Sequence, residues 1–237
     1  MKILLTMAGF GNRFKDAGYR QEKFEIEFRG HKLLDWSLAS LGNFQEFDLI
    51  LIARDLPGIR KSLAESARAI GFQNARIVTV VNPTRGQAET ATLAEPAFDQ
   101  DDSILIFNTD TFIDPTVLSP DDIRGDGWIP TFSASGDQWS FVETGDGGRA
   151  LRTAEKTRIS DQCSVGLYYF SSFQGFCDLV RNARWERELF VAPLYNEWIA
   201  AGHTTFVYEL PESAVTVLGT PQDLERASSL NRPTWPG

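Results

Sequence analysis

Along the first half of the chain, short apolar runs alternate with longer stretches in which apolar positions recur every three or four residues. Residues 2–7 (KILLTM), 48–53 (DLILIA), 76–81 (RIVTVV) and 103–107 (SILIF) are nearly continuous in apolar character and bounded by polar or turn residues. Strands buried on both faces of a parallel sheet read this way. Between them, residues 31–41 (HKLLDWSLASL) place Leu34, Leu38 and Leu41 at helical spacing, residues 57–71 open on Pro57 and close on Gly71, and Gln87 and Thr90 open a further helix. Residues 24–28 (FEIEF) alternate apolar and charged side chains and predict a short edge strand closed by Gly30. Strands alternating with helices at this interval predict an α/β, Rossmann-like fold: a mostly parallel, mixed sheet flanked by helices. Ligands of such sheets bind at the carboxyl ends of the strands.

From Asp114 onward the alternation changes. Residues 128–133, 139–143 and 150–156 read as strands, with the turn Gly145-Asp146-Gly147-Gly148 making a hairpin of the last two, and residues 163–170 (CSVGLYYF) read as a later strand. Helices are expected over 173–184 and 193–201, strands over 203–210 and 213–218, and a last helix over 222–230 with Pro221 at its start. Residues 231–237, with two prolines, read as a tail or linker. The expectation is one domain over residues 1–230, with halves meeting near residue 113.

Composition narrows what such a domain does. At 237 residues, with 42% hydrophobic side chains and 17 Phe, the chain has material for one sizeable core. No run approaches the roughly 18 apolar residues of a membrane span and none resembles a signal peptide, so the expected location is the cytosol, with no membrane partner. Cys163 and Cys177 lack metal-ligand spacing and read as buried free thiols. His31 and His203 sit in no nucleophile motif, which disfavours Ser-His-Asp and Cys-His chemistry. The formal net charge is -9, yet Arg13, Lys15, Arg20 and Lys23 cluster with only Asp16 and Glu22 opposing them. A local cationic site in an acidic protein points to an anionic small molecule rather than nucleic acid.

That cluster lies in residues 7–24 (MAGFGNRFKDAGYRQEKF), directly after the first strand. Gly9 and Gly11 let main-chain N–H groups approach a ligand with no Cβ in the way, and such groups bind anions. A dinucleotide-binding turn requires a third glycine where Phe14 stands, and no G-K-[ST] of a Walker loop occurs. Residues 82–90 (NPTRGQAET) form a turn at the same sheet edge, with Gln87 facing a base or serving only as a neighbour of the helix start. Asp110 follows the fourth apolar run in Asn108-Thr109-Asp110-Thr111. A carboxylate there suits a metal that bridges phosphates; Asp is also a favoured turn residue. Glu155-Lys156 ends a strand and, taken alone, reads more often as a solvated surface pair.

In order, these pieces resemble the sugar-phosphate nucleotidyltransferases. Ala8, Gly9, Gly11, Arg13, Phe14 and Lys23 match A-G-x-G-x-R-F followed about ten residues later by a lysine, with Glu22 where the family usually has proline. Pro83 and Gly86 match P-x-x-G, Asn108 and Asp110 match N-x-D, Glu155-Lys156 match E-K, Gly166 and Tyr168 match V-G-x-Y-x-F, and residues 219–221 match G-T-P. The resemblance implies transfer of NMP from an NTP to a sugar 1-phosphate or related phosphorylated acceptor, with release of pyrophosphate, in nucleotide-sugar or surface-polysaccharide biosynthesis.

It also implies roles. Arg13 and Lys23 are catalytic, while Ala8, Gly9, Gly11, Pro83, Gly86, Gln87 and Asn108 bind nucleotide in a half of about residues 1–113. Glu155, Lys156 and Gly166 bind acceptor in a half of about residues 114–230, and Asp110 holds Mg²⁺. The partners are then an NTP and a phosphorylated sugar, and homo-oligomerisation stays open. The second metal aspartate of the family falls on Val217, so that Asp110 acts with triphosphate and water alone, or Asp223, Glu212 or another carboxylate substitutes, or catalysis is lost. Two other readings therefore stand: a metal-dependent GT-A type glycosyltransferase, and an inactive nucleotide-binding regulatory module.

Overall fold

Alternate residues of the first strand, β1 (Lys2–Met7), enter different cores: Ile3, Leu5 and Met7 pack on one face of the sheet and Leu4 on the other. The structure, a computed structural model, describes residues 1–184, 188–230 and 233–235. After β1 come α1 (Asn12–Asp16), the short hairpin β2 (Glu27–Phe28) and β3 (His31–Lys32), α2 (Leu33–Ala39), β4 (Asp48–Arg54), α3 (Ile59–Ala69), β5 (Ala75–Val80), α4 (Gln87–Thr92) and β6 (Ile104–Phe107). The second half contains β7 (Thr111–Ile113), β8 (Gly127–Ser133), β9 (Ser140–Thr144), β10 (Ala150–Glu155), β11 (Gln162–Ser164), β12 (Leu167–Phe170), α5 (Phe173–Asn182), α6 (Leu194–Ala200), β13 (Thr205–Glu209), β14 (Val215–Val217) and α7 (Pro221–Ser229).

The main sheet runs β10-β9-β11-β8-β12-β6-β1-β4-β5, with β13 pairing beside β8. β6, β1, β4 and β5 are parallel neighbours, as their double-sided apolar runs predict. β12 enters antiparallel between β6 and β8, so the sheet is mixed and continuous across the expected boundary near residue 113. Leu34 and Leu38 of α2 and Leu63 and Ala67 of α3 cover one face. Ala88 and Ala91 of α4, Phe173, Phe176 and Val180 of α5 and Trp198 of α6 cover the other. Each fully buried leucine here is worth roughly 2–5 kcal/mol against alanine.

Several expectations need correction. The FEIEF alternation is not one edge strand: Lys23–Glu25 is a 3₁₀ turn and only Glu27–Phe28 is extended, paired with His31–Lys32 outside the main sheet. Phe24 points into the core under β1 and β4, whereas Ile26 and Phe28 join a third cluster with Phe14, Trp36, Phe112, Leu218 and Leu224. The alternation thus serves two cores. Residues 163–170 form two strands, because Gly166 adopts φ +83 between β11 and β12. β7, too short to show a pattern, pairs with β14 in a separate small sheet. Of the expected tail, residues 231, 232, 236 and 237 lie outside the described residues. The three between them are docked: Trp235 stacks on His31 with ring centroids 3.4 Å apart, and Arg29 Nη1 donates to the Pro233 carbonyl at 3.1 Å.

Candidate active site

A cleft of about 1020 Å³ opens where the parallel strands end. Ala8, Gly9, Gly11 and Arg13 line it from the loop after β1, Lys23 from the following turn, and Pro83, Gly86 and Gln87 from the loop after β5. Asn108 and Asp110 line it from the end of β6, and Glu155, Lys156 and Gly166 from the second half. These residues, expected from the sequence at separate sites along the chain, therefore face one space, whereas Lys15 and Arg20 of the cationic cluster do not line it.

At the middle of the cleft, Lys23 Nζ donates to Asp110 Oδ2 at 2.6 Å, with the two side chains about a quarter exposed. Burial works to raise the Asp110 pKa, but the Lys23 cation and its hydrogen bond, with Arg13 and Thr111 adding to them, outweigh it and hold the carboxyl below its ordinary value. Asp110 is ionised at neutral pH. Its backbone is fixed too, since its carbonyl accepts from Leu218 N at 2.7 Å. Gly11, at φ +64, lies against Lys23, where an added Cβ would come 3.2 Å from the lysine Cβ. Glycine loop and lysine are thus packed as one unit.

On the β5 side, Gln87 Nε2 donates to Asn108 Oδ1 at 2.6 Å, and Asn108 N donates to the Gly166 carbonyl at 3.1 Å. A Cβ on Gly166 would sit 2.1 Å from Asn108 Nδ2, so only glycine fits. Gly166, expected beside the acceptor, packs against Asn108 and also lines the cleft. Residues 188–191 cross from the second half to this loop. Leu189 N donates to the Arg85 carbonyl at 3.0 Å, Ala88 N donates to the Leu189 carbonyl at 3.1 Å, and a Cβ on Gly86 would come 2.5 Å from the Leu189 carbonyl oxygen.

The far wall is built on β9, β10 and β12. Ser140 hydrogen-bonds the Glu155 carboxylate, and the Tyr168 hydroxyl donates to Ser140 Oγ at 3.5 Å. Burial raises the Glu155 pKa, opposed in part by the Ser140 bond and the Lys156 charge. Burial likewise pushes the Tyr168 phenol up to about 12, so it remains a neutral hydroxyl. Lys156 Nζ lies 3.8 Å from Glu155 Oε1 and 4.5 Å from the Phe190 ring centre. Lys156 also has φ +53, one of two positive-φ residues other than glycine among the described residues. A long side chain held in that region marks a position where strain is tolerated for geometry.

Sequence reading missed Trp139, Ser140 and Phe190 in the cleft wall, which carry no motif. It also missed Arg54, whose guanidinium pairs with Glu22. Val217 does line the cleft. Asp223 lines it as well, but its carboxylate accepts from Thr220 Oγ1 at 2.7 Å in the cap of α7; Glu212 does not reach the cleft wall. Among the described residues no group of three or more His, Cys, Asp or Glu side chains is placed to hold a metal ion. No helix among them is long and apolar enough to cross a membrane.

Fold and cleft together define a nucleotidyltransferase-like α/β protein. No family model and no curated protein matches the chain by sequence. Among solved structures, a nucleoside-diphosphate-sugar pyrophosphorylase from Vibrio cholerae RC9 matches 97% of this chain and 100% of its own, with 34% identity and a TM-score of 0.88. The inositol-1-phosphate CTP transferase from T. maritima shares the fold at 15% identity, with a TM-score of 0.78 over 98% of this chain and 97% of its own. The chain belongs to the sugar-phosphate nucleotidyltransferase family.

Proposed function

We propose that the protein transfers NMP from an NTP to a sugar 1-phosphate or related phosphorylated acceptor and releases pyrophosphate. The observation that carries this reading is the Lys23–Asp110 pair at 2.6 Å, set between the glycine loop and Lys156 in a single cleft. An acceptor phosphate oxygen attacks the α-phosphorus, the bond from that phosphorus to the α,β-bridging oxygen breaks, and pyrophosphate departs with the electron pair. A phosphate monoester, with a second pKa of about 6, is mostly dianionic at pH 7 and needs no general base. The histidine-poor cleft suits that chemistry. Its task is to position two anions and neutralise charge. Arg13 and the loop N–H groups hold the β and γ phosphates, Lys23 lies beside the α-phosphate, and Lys156 holds the acceptor phosphate while Glu155 accepts from acceptor hydroxyls.

The residues fit Mg²⁺ bound through one carboxylate. Asp110 Oδ2 is engaged by Lys23, whereas Oδ1 has only a 3.5 Å contact from Thr111 Oγ1 among the described residues. Magnesium is commonly held by one or two carboxylates with substrate phosphates and water, so the apolar Val217 does not preclude it. Bound there, the ion would supply charge neutralisation at the phosphates. Neither the glycosyltransferase nor the inactive-module reading finds support in the comparisons. Nucleotide-sugar supply for surface polysaccharide, in the cytosol, is the setting this reading carries with it. A panel of four NTPs against several sugar 1-phosphates, read by pyrophosphate release with and without Mg²⁺, tests the proposal. Release with at least one pair is expected; silence across the panel overturns it.

A further inference from the structure

Neither Arg54 nor Glu22 lines the cleft, yet their ion pair adjoins two residues that do, Phe10 and Lys23. Arg54 is the last residue of β4, the strand next to β1, and its guanidinium lies 5.1 Å from the ring centre of Phe10. Phe10 stands between the paired glycines, is 46% exposed and lines the cleft. Glu22, the other member, immediately precedes Lys23 and caps the 3₁₀ turn in which Glu25 N donates to the Glu22 carbonyl at 2.9 Å. One guanidinium therefore joins the tip of the glycine loop to the residue before the lysine that holds Asp110.

The arrangement is costly on its own. The Arg54 and Glu22 side chains are only 22% and 18% exposed, and Arg54 Nε is a buried donor with no partner among the described residues. Replacing such a pair with apolar groups is often neutral or stabilising, so stability gives little reason for it. Glu22 has φ -62, the value that a proline ring imposes, and its N–H donates to no acceptor among the described residues. A glutamate adopts that φ without strain but is not confined to it, and the ion pair to Arg54 supplies a restraint that a ring would otherwise provide.

We propose that Arg54 is a positioning residue. By clamping the Glu22 carboxylate and stacking on Phe10, it fixes the backbone ahead of Lys23 and sets the lysine against the glycine loop in the reacting geometry. The inference rests on the nucleotidyl-transfer reading above. It acts on orientation, so its loss lowers kcat more than it raises the KM of either substrate.

The test compares Arg54→Leu, Glu22→Ala, Glu22→Pro and the double variant Glu22→Pro/Arg54→Leu, assayed well below their melting temperatures. Arg54→Leu and Glu22→Ala are expected to lower kcat by between about 10- and 100-fold, as misplacement of a reacting group does, with both KM values nearly unchanged. The double variant should recover most of that loss, because the ring supplies the backbone angle and no buried charge is left unpaired. Amide hydrogen exchange at Glu25 and Ile26 reads the turn without substrate, and should quicken in Arg54→Leu and slow again in the double variant. Unchanged kcat and exchange in Arg54→Leu, or a loss of kcat that proline does not reverse, overturns the proposal. A wild-type protein that releases no pyrophosphate overturns the activity instead, while the exchange comparison still judges the clamp.

Discussion

Asp110 meets the charges of Lys23 and Arg13 in the cleft, and two outcomes follow at the residue scale. Asp110→Asn keeps the shape and removes the charge, so turnover should fall by at least about 100-fold and its Mg²⁺ dependence should flatten; a variant that titrates with Mg²⁺ like wild type would place the ion elsewhere. Because the folded-state pKa lies below the ordinary value of 3.8, the stabilisation from this carboxylate is present above about pH 4 and is lost as pH falls through the depressed value. Melting temperatures of Asp110→Asn measured down into that range should therefore decline less steeply than those of wild type. Lys156 offers the converse case, a residue whose backbone is strained for its side chain. Lys156→Gly removes roughly 1–3 kcal/mol of left-handed strain, offset by the greater chain entropy of glycine, so the melting temperature should hold. The acceptor KM should rise about 10- to 100-fold with the loss of a charged contact, and the NTP KM should not. A rise in the NTP KM alone would reverse the division of the cleft.

Among the elements, the segment 188–191 is the one with most leverage, since it is bonded by its backbone to the loop after β5 and carries Phe190 to Lys156. Gly86→Ala drives a methyl into the Leu189 carbonyl and should cost about 1–3 kcal/mol of stability, as overpacking does. Because the segment serves both walls, the KM values of NTP and acceptor should rise together; a rise in one alone would show that the walls are independent. Nothing in the sequence announces this segment, which has no periodicity and acts through main-chain bonds. The parallel strands were legible because burial on both faces writes a continuous apolar run, and the glycine loop because its residues are neighbours in sequence. The FEIEF stretch misled because its alternation came from a turn feeding two cores, and residues 163–170 because the break at Gly166 sits inside an unbroken-looking apolar run. Glu22 and Arg54, 32 positions apart, could be seen together only in three dimensions.

For the molecule as a whole, the two expected halves share one sheet, with β12 inserted between strands of each. Beneath the glycine loop lies the third cluster, where Phe14 of α1 meets Trp36, Phe112, Leu218 and Leu224, and Trp235 packs at its margin. Trp235→Ala should cost about 1–3 kcal/mol by removing a partly buried aromatic, and should raise the NTP KM before the acceptor KM, since the loop stands on that cluster. An unchanged melting temperature would show that Trp235 contributes nothing to the floor. The floor has a consequence in time as well as in space. The loop lies near the start of the chain, and Leu218, Leu224 and Trp235 come about 200 residues later. At roughly 5–20 residues per second, a ribosome releases the loop some 10 to 40 seconds before the side chains that brace it. The nascent chain thus carries the glycine loop early and lacks its support until late, so the loop can settle on its floor only after Leu218, Leu224 and Trp235 have been made.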